Sequence, residues 1–232
     1  MVTQLQFGEI RVDVVQKDIK NVHLSVYPPD GQVKIAAPLR MDIETIRVFA
    51  ISKLAWIKKQ QKKFREQKRE TPREYINRES HYVWGKRYLL KVVEMDVTPS
   101  IKLTPRHLRM IVRPGTDQEE RDALLQEWYR EQIKAVLPNL ITKWEPKLGV
   151  KVKRFYVQRM KTRWGSCNTE SRCIRINTVL AKKPADFLEY IVVHEMLHLL
   201  VRNHGEAFVQ IMDHLLPLWK DYRSDLNQSP LQ

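Results

Sequence analysis

One short motif constrains this chain more than any other feature. It is His-Glu-Met-Leu-His at residues 194–198, and His204 follows six residues later. In a helix, residues four apart share a face, so the imidazoles of His194 and His198 can converge on one metal ion. Glu195 points to another side, from which a carboxylate can reach a water at the metal without being a ligand. The motif therefore predicts a metal-dependent hydrolase site.

The surroundings of the motif favour a metal site over a chance match. Between Ile191 and Leu200, Glu195 is the only charged residue. A helix this apolar is predicted to be buried, and a buried carboxylate or imidazole without a partner is costly. A metal ion provides that partner. Two imidazoles, a third ligand from elsewhere and an open position for water suit Zn²⁺, which lowers the pKa of bound water toward about 7.

His204 is the predicted third ligand. The residues around it, including Gly205, have the composition of a helix end and a turn, which brings the chain back. The spacing from His198 to His204 equals that of the pattern H-E-x-x-H-x-x-G-x-x-H, although Val201 stands where that pattern has glycine. Weaker alternatives for the third ligand are Glu206, Asp213 and His214.

Three blocks of residues carry a resemblance to a known family. They are Thr-Arg-Trp-Gly-Ser-Cys at 162–167, Leu-Glu-Tyr-Ile-Val-Val-His-Glu at 188–195 and Asn-His-Gly-Glu-Ala-Phe at 203–208, with further matches at 84–88 and 144–146. The chain resembles the YgjP-like family of metal-dependent hydrolases and, more distantly, SprT-like and gluzincin metallopeptidases. The resemblance implies a zincin-type C-terminal domain, with His194, His198 and His204 as zinc ligands and Glu195 as general base.

The remaining patterns predict an α+β fold in two domains. Residues 1–114 are interpreted as a β-rich domain with one basic helix, and residues 115–232 as the zincin-like hydrolase domain, with the boundary near Pro114-Gly115. Apolar residues alternate on both sides of Asp30-Gly31, which predicts a hairpin. No internal repeat is evident.

Capping signals predict two of the helices. Asp42 can cap a helix whose apolar face includes Ile46 and Phe64 and which fades near Thr71-Pro72. Thr116 and Glu119 have the spacing of a capping box for a second, long helix. Pro138 is predicted to kink or break that second helix.

The segment from Lys151 to Asn177 is predicted to be a hairpin. Lys151 to Met160 forms the entering strand and Cys173 to Asn177 the leaving strand, which alternates with period two. Cys167 and Cys173 are the only cysteines, and they form no disulfide framework of the secreted kind. Reduced, half-buried thiols are therefore expected.

The segment around Arg163 allows two interpretations. In the first, it is a strand edge beside the metal helix, where an extended peptide can add as a further strand. Arg163 then stabilises an oxyanion or holds an anionic substrate, and it is the second predicted catalytic residue. In the other interpretation Trp164 belongs to the core, Gly165 makes a bend and Arg163 forms a structural ion pair. Tyr190 and Tyr222 are further candidates for stabilising the transition state.

The chain is strongly basic. Its formal net charge is +14 and its sequence pI is about 9.8. Such a charge attracts nucleic acid, nucleotides or acidic proteins. Much of it lies in one segment: Lys58, Lys59, Lys62, Lys63, Arg65, Lys68 and Arg69. That segment is either the solvated face of an amphipathic helix or an accessory site for nucleic acid.

Hydropathy predicts neither a membrane span nor a secretory signal. No stretch of eighteen uncharged apolar residues exists, and the first residues lack the basic and apolar regions of a signal peptide. Together with the sparse cysteines, these features predict a cytoplasmic enzyme with no membrane partner. Three functions remain open: a zinc metallopeptidase acting on peptides or proteins, which is favoured; a metal-dependent nucleoside triphosphate pyrophosphohydrolase; and a nucleic-acid-associated module with structural zinc.

Overall fold

The computed structural model describes residues 2–27, 30–66 and 73–229. The chain divides into two compact units, Met1–Arg69 and Glu70–Gln232. Each unit has its own hydrophobic core, and each combines strands with helices. The predicted α+β class is therefore confirmed.

The first unit contains a four-stranded mixed sheet. Its strands are β1 (Val2–Phe7), β2 (Ile10–Lys17), β3 (His23–Tyr27) and β4 (Gln32–Pro38), in the order β1-β2-β4-β3. The β3 and β4 strands pair antiparallel, whereas β2 and β4 pair parallel. The hairpin predicted around Asp30-Gly31 is thus confirmed. Gly31 has a φ of 73°, which only glycine adopts at little cost.

Two helices cover the buried face of this sheet. They are α1 (Ile43–Ser52) and α2 (Leu54–Glu66), and they contribute Ile46, Ala50 and Ile57 to the core. Asp42 caps α1 as predicted, because its Oδ1 accepts a hydrogen bond from the Thr45 backbone N–H at 2.8 Å.

The prediction of a single helix after Asp42 is wrong in one respect. The helical chain is interrupted at Lys53, whose backbone N–H bonds back to the carbonyl oxygens of Ala50 and Ile51. The side chain of Phe64 and the predicted end near Thr71-Pro72 lie outside the described residues.

The second unit begins with a sheet that repeats the topology of the first. Its strands are β5 (Ser80–Val83), β6 (Lys86–Glu94), β7 (Ser100–Leu103) and β8 (His107–Val112), in the order β5-β6-β8-β7. The pairings are again antiparallel, parallel and antiparallel. The sequence shows no repeat because a sheet needs only alternating apolar positions and turns, which many different residues provide.

A long helix, α3 (Gln118–Leu148), follows this sheet. The predicted capping box lies one residue further along, because Asp117 and Glu120 exchange the two reciprocal bonds. Pro138 and Pro146 lie inside α3 without ending it. Of the two predicted effects of Pro138, a kink or a break, the break does not occur. Both prolines are on the exposed side of the helix, where water can satisfy the freed carbonyl groups, while the opposite side is buried.

The boundary between the two units lies at 69/70, which is 45 residues before the predicted boundary at 114/115. Pro114-Gly115 instead lies in the turn between β8 and α3. The reason is packing: Leu108 and Met110 of β8 share one core with Tyr129 and Ile133 of α3. A Pro-Gly turn marks a change of direction, and burial on both sides of it decides whether a domain ends there.

A three-stranded sheet follows α3. Its strands are β9 (Arg154–Gln158), β10 (Gly165–Asn168) and β11 (Cys173–Asn177), in the order β10-β11-β9. The β9 and β11 strands pair parallel, so the predicted hairpin between them is wrong. The hairpin partner of β11 is β10. The parallel pairing requires a crossover, and residues 159–164 together with β10 provide it.

The two cysteines lie on opposite faces of this sheet. Cys167 pairs with Ile174, whereas Cys173 pairs with Asn168, and neighbouring strand residues point to opposite sides. Both thiols are free, as expected. Burial raises the pKa of the Cys167 thiol to about 11.

A 3₁₀ helix at Thr178–Lys182 leads into three final helices, α4 (Ala185–Leu197), α5 (Glu206–Leu215) and α6 (Trp219–Gln228). Gly85, in the matching block at 84–88, packs closely against Pro184, the residue just before α4. A Cβ on residue 85 would lie 2.9 Å from Cγ of Pro184, so a larger residue is disfavoured at this position. No described helix is long and apolar enough to cross a bilayer.

Candidate metal centre

Helix α4 carries the first histidine of the motif and is buried on nearly every side. It packs against α3, α6 and the strands β10 and β11. Its buried residues are Phe187, Leu188, Tyr190, Ile191, Val192, Val193, Glu195, Met196 and Leu197. Burial of each large apolar side chain stabilises the fold by about 1.5–3 kcal/mol, so the helix is firmly held. It ends at His198, where the chain turns.

Three histidines converge at the C-terminal end of α4. One ring nitrogen from each of His194, His198 and His204 lies within 4.8 Å of the others. The Nε2 atoms of His194 and His204 are 3.0 Å apart. Two nitrogens bound to one tetrahedral zinc ion would be roughly 3.3 Å apart, so small side-chain adjustments suffice. Among the residues that the structure describes, no other group of three such side chains meets.

Neighbouring groups orient the imidazoles. Nδ1 of His198 is 3.1 Å from the carbonyl oxygen of Val201. With the proton on Nδ1, this contact is a hydrogen bond and leaves the Nε2 lone pair free for a metal. The ring of Phe208 lies 4.7–5.2 Å from the ring centres of all three histidines. Phe208 therefore forms an apolar support beneath the cluster.

Burial favours the neutral form of two of the clustered histidines, His194 and His204. Burial, and then the charges of His198, His204 and Arg223, lower the pKa of His194 to about 3. The pKa of His204 is also lowered, chiefly by burial. Within the described residues, Nδ1 of His194 is buried without a hydrogen-bond partner. Neutral imidazoles are the form that binds a metal, so the donor set fits a metal ion.

The turn after α4 brings His204 back, and none of the alternative third ligands joins the cluster. Asp213 accepts a hydrogen bond from Nε1 of Trp219 at 2.7 Å and forms an ion pair with a lysine. Glu206 accepts a hydrogen bond from Gln210, one turn along α5. His214 lines a separate cavity beside Lys147.

Glu195 is buried against the edge strand β10. Its side chain is 6% exposed, and burial raises its pKa to about 8 even though the charge of Arg163 opposes the shift. Gly165 leaves the room that the carboxylate occupies. A Cβ on Gly165 would lie 2.7 Å from Oε1 and 2.8 Å from Cγ of Glu195. No sequence pattern predicts this contact.

Gly165→Ala is expected to displace the Glu195 carboxylate. We expect hydrolysis to fall about 10²-fold, because small misplacements of catalytic groups are that costly. The free energy of unfolding should fall by about 1–3 kcal/mol through overpacking. Initial rates and chemical denaturation measure the two effects. Ser166→Ala on the same strand is the control, since Ser166 points to the opposite face. Equal rates for the two variants would refute the steric argument.

Arg163 lies in an exposed segment that Asn177 holds in place. The Asn177 side chain is fully buried, and its Nδ2 donates to the carbonyl oxygens of Met160 and Arg163 at 2.8 Å each. Trp164 packs against the core of the second unit, which supports the structural interpretation for that residue. Arg163 itself acts electrostatically on Glu195. Asn177 was not predicted, because an asparagine at a strand end is usually read as a turn residue.

A second arginine, Arg223, lies near the cluster. Its charge contributes to lowering the pKa of His194 and of His204, and its guanidinium lies 5.9 Å from the ring centre of Trp219. Tyr190 packs edge-on against His194 at 5.8 Å. Tyr222 packs against Phe187 and Tyr190. No sequence signal marks Arg223, because α6 is distant from the motif along the chain.

The family model that matches this chain is described as YgjP-like, metallopeptidase domain, and it spans residues 20–229. The chain belongs to the YgjP-like family. The resemblance inferred from the three sequence blocks is thereby confirmed, and the blocks meet in space around α4. A metallopeptidase family implies a metal ion, which agrees with the cluster of three imidazoles.

A curated relative and two solved structures are similar to parts of this YgjP-like chain. A UTP pyrophosphatase of Escherichia coli (strain K12) is 40% identical over 52 residues, which is 22% of this chain and 31% of the relative. The metallopeptidase zymogen jannalysin of Methanocaldococcus jannaschii is 18% identical, with a TM-score of 0.36, over 39% of this chain and 93% of its own. Abylysin of Pyrococcus abyssi, also a metallopeptidase zymogen, is 16% identical, with a TM-score of 0.37, over 41% of this chain and 98% of its own.

Proposed function

We propose that this protein is a zinc-dependent hydrolase that cleaves peptide bonds. The observation that carries the proposal is the convergence of three imidazoles beside one buried carboxylate, that of Glu195. The YgjP-like family, a metallopeptidase domain by description, supports the same class of reaction.

The residues proposed to hold zinc are His194, His198 and His204. Three nitrogen ligands leave one position open, which is the arrangement of catalytic rather than structural zinc sites. Zinc, when bound, polarises the oxygen of the scissile group and makes water more acidic. No fourth protein ligand joins the three histidines in the part of the chain that the structure describes. This argues against a purely structural zinc ion in a binding module.

Glu195 is proposed as the general base. Its carboxylate accepts a proton from the attacking water and then donates that proton to the leaving amine, so the carboxylate is restored after each turnover. Burial raises the pKa of Glu195 to about 8, near the neutral pH range in which a side chain can both accept and donate a proton during turnover. Arg163 is proposed to act beside it, on the oxyanion or on an anionic group of the substrate.

The proposed peptide site is the free edge of β10. Among the residues that the structure describes, this strand pairs only with β11, and Gly165 at its start touches Glu195. An extended peptide can add to such an edge through main-chain hydrogen bonds, which would place a peptide bond beside the carboxylate. Peptides and proteins are therefore the proposed substrates and partners.

A second candidate function is hydrolysis of a phosphoanhydride, for example in a nucleoside triphosphate. Two observations favour it: the local identity to a UTP pyrophosphatase, and the two arginines near the histidines, Arg163 and Arg223. Guanidinium groups bind phosphate oxygens strongly. The same histidines and Glu195 would serve this reaction.

Mass spectrometry of a mixed pool of peptides and nucleoside triphosphates tests the proposal. Zinc-loaded protein, its Glu195→Ala variant and chelator-treated protein are incubated in parallel. We expect peptide cleavage by the wild-type protein alone. Release of mono- or diphosphate nucleotides with intact peptides would favour the second function. If neither class changes, the proposed hydrolase is refuted under these conditions.

The proposed cellular location is the cytoplasm, and the support is chemical. Cys167 and Cys173 are both free thiols, and free thiols persist in reducing compartments. The basic helix α2 remains a proposed accessory site for nucleic acid. Its Lys58, Lys59 and Arg65 are exposed, as a solvated helix face also requires, whereas Lys68 and Arg69 lie outside the described residues.

A further inference from the structure

One face of the sheet β9–β11 is open to solvent at Arg154 and Tyr156, which are both exposed. The register places Tyr156 beside Arg175 and Arg175 beside Ser166, so these side chains share a face. The intervening residues, such as Val157 and Ile174, point to the other face and belong to the core of the second unit. We call the first face, defined by Arg154, Tyr156, Ser166, Cys173 and Arg175, the outer sheet face.

A cavity of about 320 Å³ lies on the outer sheet face. Its lining residues are Lys153, Arg154, Tyr156, Ser171, Cys173 and Arg175. Three of the six are cations and none is an acid. Lys153 and Arg154 are exposed, and among the described residues neither forms an ion pair with a carboxylate. The cavity is therefore a concave site with uncompensated positive charge, suited to an anion.

An aromatic ring lies among these cations. Tyr156 is 46% exposed although it belongs to a strand, and the guanidinium of Arg175 lies 5.7 Å from its ring centre. An exposed tyrosine on an open sheet offers a flat surface on which a nucleic-acid base can stack. The neighbouring cations of the same cavity, Lys153, Arg154 and Arg175, are groups that bind phosphate oxygens.

We propose that the outer sheet face binds single-stranded nucleic acid. A flat sheet cannot enter the groove of a duplex as a helix does, but unstacked bases can lie on it. Charge complementarity supports this partner, since the chain has 41 Lys and Arg against 27 Asp and Glu. The metal centre lies on the opposite side, because α4 packs against β10 and β11 through their core-facing residues. Binding therefore leaves the histidine cluster open.

Fluorescence anisotropy with a labelled single-stranded oligonucleotide of twelve thymidines tests the proposal. We expect the double variant Arg154→Ala/Arg175→Ala to bind at least about tenfold more weakly than the wild-type protein at 0.1 M salt. The slope of log K against log salt should fall by about 1.4, which is about 0.7 for each lost phosphate contact. The matched control is Lys102→Ala/Arg106→Ala, which removes the same charge from another exposed part of the second unit.

Stacking is tested separately from charge. Tyr156→Ala should weaken binding by about fivefold or more, whereas Tyr156→Phe should retain it, because the ring rather than the hydroxyl stacks. Melting temperatures establish that all variants are folded, and the hydrolytic activity of each should equal that of the wild-type protein.

Three results would overturn the proposal. The first is no measurable binding by the wild-type protein. The second is a loss in the Lys102/Arg106 control as large as that in the Arg154/Arg175 variant, which would assign binding to overall charge. The third is equal competition by a polyglutamate peptide or by duplex DNA of the same length, which would show that any polyanion suffices.

Discussion

Replacing Glu195 by glutamine is expected to reduce hydrolysis by about 10²–10⁴-fold while the protein retains its zinc. Glutamine has nearly the same shape, so it keeps the contact with Gly165 and the packing of α4. It cannot accept a proton, so water is no longer activated. The value of kcat on the substrate found in the mixed pool and the zinc content by elemental mass spectrometry are the two measurements.

Glu206→Gln is the matched control for this experiment. It makes the same chemical change in a nearby acid, which lies at the start of α5 and bonds only within that helix among the described residues. We expect this variant to keep its zinc and to retain its rate within about threefold, as for surface substitutions generally. An active Glu195→Gln enzyme would exclude Glu195 as the base. Loss of zinc from Glu206→Gln would indicate that the Glu206 carboxylate, rather than His204, is the third ligand.

His204→Ala is expected to lower zinc affinity by more than about 100-fold. Loss of a group that merely orients a ligand costs 10–100-fold, so loss of a ligand itself should cost more. Equilibrium dialysis measures the affinity directly. Thermal unfolding provides a second readout, because a metal that binds only the folded state raises the melting temperature. Zinc should raise it for the wild-type protein and not for the variant.

His214→Ala is the control for the ligand experiment. His214 lies on α5 within the same short region, but it lines a different cavity and does not join the cluster. The variant should bind zinc as the wild-type protein does. If His204→Ala retained wild-type affinity while His214→Ala lost it, the assignment of the third ligand would be reversed.

Local chemistry made part of this molecule predictable. Asp42 caps α1 and Asp30-Gly31 turns a hairpin because neighbouring residues in the chain form the deciding hydrogen bonds. The pairing of the strands was harder to predict. The alternation of Cys173–Asn177 identifies a strand but carries no information on its neighbour, so the parallel partner β9 was mistaken for the hairpin partner. The division at 69/70 was missed for a similar reason, since a shared core joins residues distant in the chain.

The sequence by itself determined the chemistry of the candidate site. Helical periodicity places His194 and His198 on one side of the helix, and the turn brings His204 back. The helix is otherwise apolar, so the Glu195 carboxylate is costly to bury without a partner. Only the tertiary structure decided what surrounds them: the close approach of Gly165 to Glu195 and the charge of Arg223. It also decided that Tyr156 lies on an open face of the sheet, away from this site. The physical reason is that spacing along one helix is fixed by backbone geometry, whereas contacts between elements depend on how whole surfaces pack.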